Sequence, residues 1–175
     1  MSSLRVAGVS FREATVADCA AVAEVHVRSW RESFAGIVPQ AFLDKMSVER
    51  RAKAFEGRFA DDDYRMFVAE AAGRGVVGFA DFGAARELIE GYEGELYAIY
   101  LLPEFQRKGI GAGLFKRGVE FLTGSGRRSM YLLALADSPY KSFYERMGGR
   151  VIGSKQIEIE GVWYDELVYG WDTLG

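Results

Sequence analysis

The chain has 175 residues, 49% of them apolar, which is long enough to bury one good core, and a single domain spanning residues 1–175 is expected. Its formal net charge of -3 lacks the basic excess of a nucleic-acid binder. It has no run of ~18 apolar residues and no apolar stretch of signal-peptide type near Met1, so neither a nucleic acid nor a membrane is expected as partner, and a cytoplasmic location is.

In chain order, Val9 to Arg12 reads as a first strand. Thr15 with Asp18 resembles a capping box that opens a helix running to about Phe34. That helix carries Cys19 and His26, the only cysteine and histidine. No disulfide can form within the chain, and no metal is expected because a zinc site would need mostly carboxylates. A Ser-His or Cys-His nucleophile would have to use His26, but Cys19, Val22, Ala23 and Trp30 surround it at helical spacing, and it reads as a packed side chain. Gln40 to Phe59 is helical with a break near Ser47, which can cap a new helix.

Arg65 to Ala71 and Val76 to Phe82 read as strands joined by the glycine-rich turn Ala72-Gly73-Arg74-Gly75. Glu95 to Leu102 is a further strand, ended by Pro103. After Gly109, the positions Ile110, Leu114, Gly118, Phe121 and Leu122 mark one helix face that fades at Gly124. Met130 to Leu135 is a strand. Ser138-Pro139 reads as the cap and first position of another helix that stops at Gly148-Gly149. Alternation on both sides of Glu160-Gly161 gives a closing hairpin.

The chemistry concentrates in Gln106-Arg107-Lys108-Gly109-Ile110-Gly111, between a strand and a helix. Glycines there allow a tight turn and leave bare N–H groups at the positive end of the helix, where a pyrophosphate can bind; Arg107 and Lys108 can add charge-assisted contacts. The same six residues would also serve as a plain turn with surface cations. Two other nucleotide motifs fit poorly. A dinucleotide fingerprint wants glycine where Leu114 stands and an acid near Arg127 and Arg128, and a P-loop wants its lysine after the glycine.

The segment Tyr100-Leu101-Leu102-Pro103-Glu104-Phe105-Gln106-Arg107-Lys108-Gly109-Ile110-Gly111 resembles the signature loop of the GNAT superfamily of acyl-CoA-dependent N-acyltransferases. Ser138-Pro139-Tyr140-Lys141-Ser142-Phe143-Tyr144-Glu145-Arg146-Met147-Gly148-Gly149 resembles a second motif of that superfamily, in the right order along the chain. The resemblance implies an α/β fold: a mixed, partly parallel sheet of about seven strands flanked by about four helices, splayed between the fourth and fifth strands. It further implies acetyl-coenzyme A as cosubstrate, with its pantetheine arm in the gap. Backbone groups of Ile99, Tyr100 and Leu101, freed by a bulge, would bond that arm. Amides from Arg107 through Lys108, Gly109, Ile110 and Gly111 to Ala112 would hold the phosphates, with Gln106 and Phe143 completing the site. Ser138 stands where the family commonly has asparagine, and either caps a helix or contacts the cofactor.

The implied reaction is acetyl transfer to an amine. An alkylammonium of pKa ~10.4 holds its proton at neutral pH, and removing it costs roughly 4–5 kcal/mol, so a base or a water relay is needed. Glu95 matches the general-base glutamate of some family members, or is a strand-edge carboxylate that attracts a cation. Tyr144 matches the tyrosine that protonates the leaving sulfur, or is a core aromatic. Trp30, Arg31, Phe34, Glu90, Tyr92, Glu93, Trp163 and Tyr164 would suit a cationic amine of modest size. A small-molecule primary amine is the expected acceptor, ahead of a protein N-terminus or lysine. A noncatalytic acyl-CoA sensor stays open as a rival, as does self-association into a homodimer.

Overall fold

A computed structural model describes residues 6–175. Seven strands form one sheet in the order β1-β2-β3-β4-β5-β7-β6. They are β1 (Val9–Glu13), β2 (Arg65–Ala71), β3 (Gly75–Ala84), β4 (Gly94–Leu101), β5 (Met130–Leu135), β6 (Arg150–Ile159) and β7 (Val162–Trp171). Five helices accompany them: α1 (Cys19–Ser33), α2 (Gln40–Lys45), α3 (Val48–Arg58), α4 (Ile110–Gly124) and α5 (Lys141–Arg146). The one helix beyond the expected four comes from the break at Ser47, whose hydroxyl accepts from the Arg50 amide at 3.3 Å and starts α3.

All neighbouring strands are antiparallel except β4 and β5, which run parallel. They pair only through Gly94↔Met130 and Glu95↔Tyr131 and then diverge, the splay the resemblance implied. Opposite β3, Ala98 faces Asp81 while Leu96 faces Phe82, so Tyr97 is the extra residue of a bulge in β4.

Alternation along β3 sends Phe79 and Asp81 to one face of the sheet and Phe82 to the other. On the first face α1 and α3 bring His26 and Phe55 against Phe79, with ring centroids 6.1 and 5.5 Å away. On the second face α4 buries Ile110, Leu114 and Leu122, and Gly118 lies against the Phe82 ring. At ~25 cal/mol per Å² of apolar surface, this continuous aromatic and aliphatic core is the main source of stability. His26 is 6% exposed among Phe55, Tyr100 and Trp30, and burial pushes its pKa down to about 3, so it is a neutral packed side chain.

Of the two C-terminal features, one differs from the sequence reading. The final helix starts at Lys141, and Ser138, with its hydroxyl accepting from the Tyr140 amide at 3.2 Å, stabilises the turn ahead of it rather than the helix cap. The closing hairpin turns at Glu160-Gly161 as expected, both residues having positive φ. Among the described residues no helix is long and apolar enough to cross a membrane.

Candidate active site

The gap between β4 and β5 continues into a cavity of about 710 Å³. β4 contributes Ile99, Tyr100 and Leu101 to its wall; the loop and first turn of α4 contribute Gln106, Arg107, Gly109, Gly111 and Ala112; the α5 segment contributes Tyr140, Phe143 and Tyr144; and Ser33 arrives from α1. Residues far apart in the chain thus meet where the parallel pair comes apart.

The loop is shaped by two left-handed residues, Arg107 at φ 59° and Gly109 at φ 81°. Alternating such residues turns successive N–H groups toward one side, the concave arrangement that receives anions, and the positive end of α4 adds to it. The first helical bond is from the Gly113 amide to the Gly109 carbonyl at 3.1 Å. Among the described residues, no carbonyl or side chain accepts from the amides of 107–112. A Cβ on Gly111 would stand 3.0 Å from the Phe143 ring, so glycine lets α5 pack this closely on the first turn of α4. The site therefore has room, unpaired donors and a positive helix end, which is what a diphosphate with a thioester arm requires.

Not every expected residue takes its expected place. The Leu101 carbonyl is already occupied, accepting from Ser29 Oγ at 3.3 Å and Gln106 Nε2 at 3.2 Å. Gln106 also reaches the Tyr140 hydroxyl at 3.4 Å, so its side chain braces the loop against α5. Lys108 lies with its ammonium over the Phe105 ring and, like Ile110 and Ser138, does not line the cavity; Ile110 and Ser138 are buried in the fold.

Glu95 is also absent from the wall, and its carboxylate is fully engaged. Arg86 donates to it from its amide at 3.0 Å, from Nε at 3.1 Å and from Nη2 at 2.6 Å, and the Tyr131 hydroxyl donates at 3.0 Å. With 1% of its surface exposed, it is a buried anion that ties the β3–β4 corner to β5.

Tyr144 does line the cavity. It is buried against Phe143 and Tyr169, and burial holds its phenol well above the ordinary value near ~10, so it remains a protonated donor. Six wall residues were not expected as site members from the sequence: Pro139, Ser142, Arg146 and Met147 of the α5 segment, Tyr140, whose hydroxyl forms a short bond with Ser33 Oγ, and Ser33 itself. Of the aromatic and acidic acceptor set, Trp30 stacks on Phe34 at 4.3 Å and Tyr164 packs into the same small cluster, beside Tyr100 and Tyr140. The others are elsewhere or committed. Arg31 bonds the Leu43 and Met46 carbonyls, Glu93 accepts from the Arg128 amide at 2.8 Å, Tyr92 bonds Asp172, and Trp163 is 62% exposed.

Residues 22–149 match the model of the Acetyltransferase (GNAT) family. The chain belongs to the GNAT family of acetyltransferases. This acetyltransferase is 38% identical over 167 residues to the uncharacterized N-acetyltransferase YuaI of Bacillus subtilis (strain 168), a match covering 95% of this chain and 94% of YuaI. Its fold is similar to the YncA protein of Salmonella typhimurium, solved with its cofactor acetyl-CoA (TM-score 0.70, 23% identity, 95% of this chain and 94% of that one). It is likewise similar to the PaiA N-acetyltransferase of Thermoplasma acidophilum, solved with coenzyme A (TM-score 0.65, 22% identity, 91% and 97%).

Proposed function

We propose that this acetyltransferase moves the acetyl group of acetyl-coenzyme A onto the primary amine of a small molecule by direct attack on the thioester. The observation that carries the reading is the run of amides 107–112, which have no acceptor among the described residues, in a loop whose Arg107, Gly109, Gly111 and Ala112 line a cavity that Tyr144 also lines. These amides and Arg107 would hold the diphosphate, and Ile99 and Tyr100 would flank the arm on the open side of β4. When bound, the thioester supplies an activated acyl group and a thiolate leaving group.

The chain's own residues do the rest. Tyr144 donates a hydrogen bond to the departing sulfur while the C–S bond stretches. Full transfer to a released thiolate of pKa ~8.5 would be uphill from a phenol. Glu95 fixes the corner where β4 and β5 part. The amine's proton leaves through water held at the paired hydroxyls of Ser33 and Tyr140. Trp30, Phe34 and Tyr164, next to these hydroxyls, form the aromatic side on which a modest organic amine is received.

Thiol release from acetyl-coenzyme A, followed with purified protein and a panel of small amines and lysine-bearing peptides, tests this reading. Turnover with small amines above that with peptides is expected, and Tyr144→Phe should lower kcat by ~10- to 100-fold with the coenzyme Kd nearly intact. Turnover unchanged in Tyr144→Phe removes the donor role, and no turnover with any amine sinks the enzymatic reading in favour of a sensor.

A further inference from the structure

A second cavity, of about 420 Å³, opens between α1, the α2–α3 turn and Glu160 at the tip of the β6–β7 hairpin, and shares no wall residue with the first. Its apolar lining comes from Val27, Phe42, Met46 and Ala54, and its charges are Lys45, Arg50, Arg51 and Glu160.

These charges do not cancel. Lys45 and Glu160 neutralise one another across 2.8 Å. Arg50 bonds the Lys45 carbonyl, an uncharged acceptor, and among the described residues forms no ion pair, although the Glu49 carboxylate feels its charge. Arg51 has no hydrogen bond or ion pair from its guanidinium among the described residues; the group lies 5.9 Å from the centroid of the Phe55 ring. Asp81, the carboxylate buried beneath this face, accepts from Arg58 at 2.7 Å and Tyr64 at 3.0 Å through Oδ2, while Oδ1 has no partner among the described residues and does not reach Arg51. Partial burial and the nearby charge of Arg58 both disfavour the charged form of Arg51. The charge of Asp81 acts the other way but does not outweigh them, and a half-buried guanidinium with no carboxylate bonded to it is costly unless something supplies one.

The site is also firmly built. Arg31 donates to the Leu43 carbonyl at 3.2 Å and the Met46 carbonyl at 2.9 Å, which pins the α2–α3 turn that carries half of the cavity.

We propose that this second cavity binds a small monocarboxylate with a compact apolar body, its carboxylate against Arg51 and Arg50 and its body against Val27, Phe42, Met46 and Ala54. The planar guanidinium fork matches a carboxylate in geometry. Of the wall, Val27, Phe42, Met46 and Ala54 give an organic body an apolar surface that a bare phosphate would leave unused, and Ser47 is the one neutral polar side chain beside them. Phe42 and Met46 pack in the cluster that includes Tyr100 and Tyr140 of the transfer cavity, so one hydrophobic cluster borders both sites.

The test is calorimetric titration of the full chain with benzoate and hexanoate, with benzamide and hexanamide as neutral isosteres and inorganic phosphate as a bare anion. At least one carboxylate should bind at least tenfold more tightly than its amide and than phosphate, and should still bind with coenzyme A at saturation. Arg51→Met, which keeps a stem over Phe55, should weaken it at least tenfold. Ala54→Leu, which fills the lining, should do the same and serves if Arg51→Met fails to fold. The proposal is overturned if neither carboxylate binds, if amide or phosphate binds as well, if coenzyme A displaces the carboxylate, or if the folded variants bind it unchanged.

Discussion

Gly109 offers a way to separate the shape of the phosphate cradle from its charge. Its φ of 81° lies in the left-handed region, and a Cβ placed there would meet only Val6 Cγ2, at 3.8 Å. Substitution therefore costs backbone strain and no clash, about 1–2 kcal/mol for any ordinary L residue. For a chain of this length that lowers Tm by about 2–8 °C, and the loss should be nearly equal in Gly109→Ala, Gly109→Glu and Gly109→Lys. Coenzyme affinity should not be equal. A charge some ~5 Å from a diphosphate at an effective dielectric of ~20–80 interacts by roughly 1–3 kcal/mol per pair. The Glu variant should thus bind coenzyme A ~10- to 100-fold more weakly than the Ala variant, and the Lys variant as well as the Ala variant or better. The spread should shrink at 1 M salt, where the screening length is about 3 Å. Calorimetric Kd values for the three proteins decide the matter. Three equal affinities would mean that no phosphate lies near Gly109.

Three further outcomes are expected. Glu95→Gln should lower stability by roughly 1–3 kcal/mol, because it breaks a buried ion pair, while leaving the shape of the kcat/KM pH profile unchanged; loss of an acidic limb would restore Glu95 as the base. His26 has a folded pKa of about 3 against ~6.5 unfolded, so the unfolded chain takes the proton first. Its contribution to stability is complete well above pH ~6.5 and below it falls toward a slope of ~1.4 kcal/mol per pH unit, which between pH 6.5 and 4.5, above the range where Asp18 (about 2) titrates, amounts to ~2.3 kcal/mol. His26→Phe should flatten denaturant-derived stability over that window, and an unchanged slope would contradict the burial of a neutral imidazole. Ser33→Ala and Tyr140→Phe should each depress kcat/KM more at pH 7 than at pH 9.5, where the amine begins to lose its proton unaided; an equal loss at both would remove the water-relay role.

Features specified by local sequence were readable without coordinates. The 3.6-residue spacing of α4, the break at Ser47 and the alternation around Glu160-Gly161 each fall within one element and match the elements formed. The six-residue loop was readable because its glycine precedes a helix, although the left-handed Arg107 was not, being a non-glycine residue in a glycine-like conformation. What escaped depends on long-range contact. Nothing near Glu95 announces that Tyr131, 36 positions on, saturates it. Nothing near Tyr140 announces that Ser33, 107 positions earlier, pairs with its hydroxyl. Ser138-Pro139 misled by two residues because a serine can close a turn as readily as it caps a helix. The acidic and aromatic acceptor set divided in the same way: Trp30, Phe34 and Tyr164 share one cluster, while in the loop before β4 Tyr92 bonds Asp172 and Glu93 accepts from the Arg128 amide.

The most direct test of the account is the shift of backbone amide resonances on titration of the protein with coenzyme A. The largest changes should fall on Arg107 to Ala112, with a second group at Ile99 to Leu101. Saturation with those amides unmoved, and the changes centred elsewhere, would contradict the placement of the diphosphate on which the proposed reaction depends.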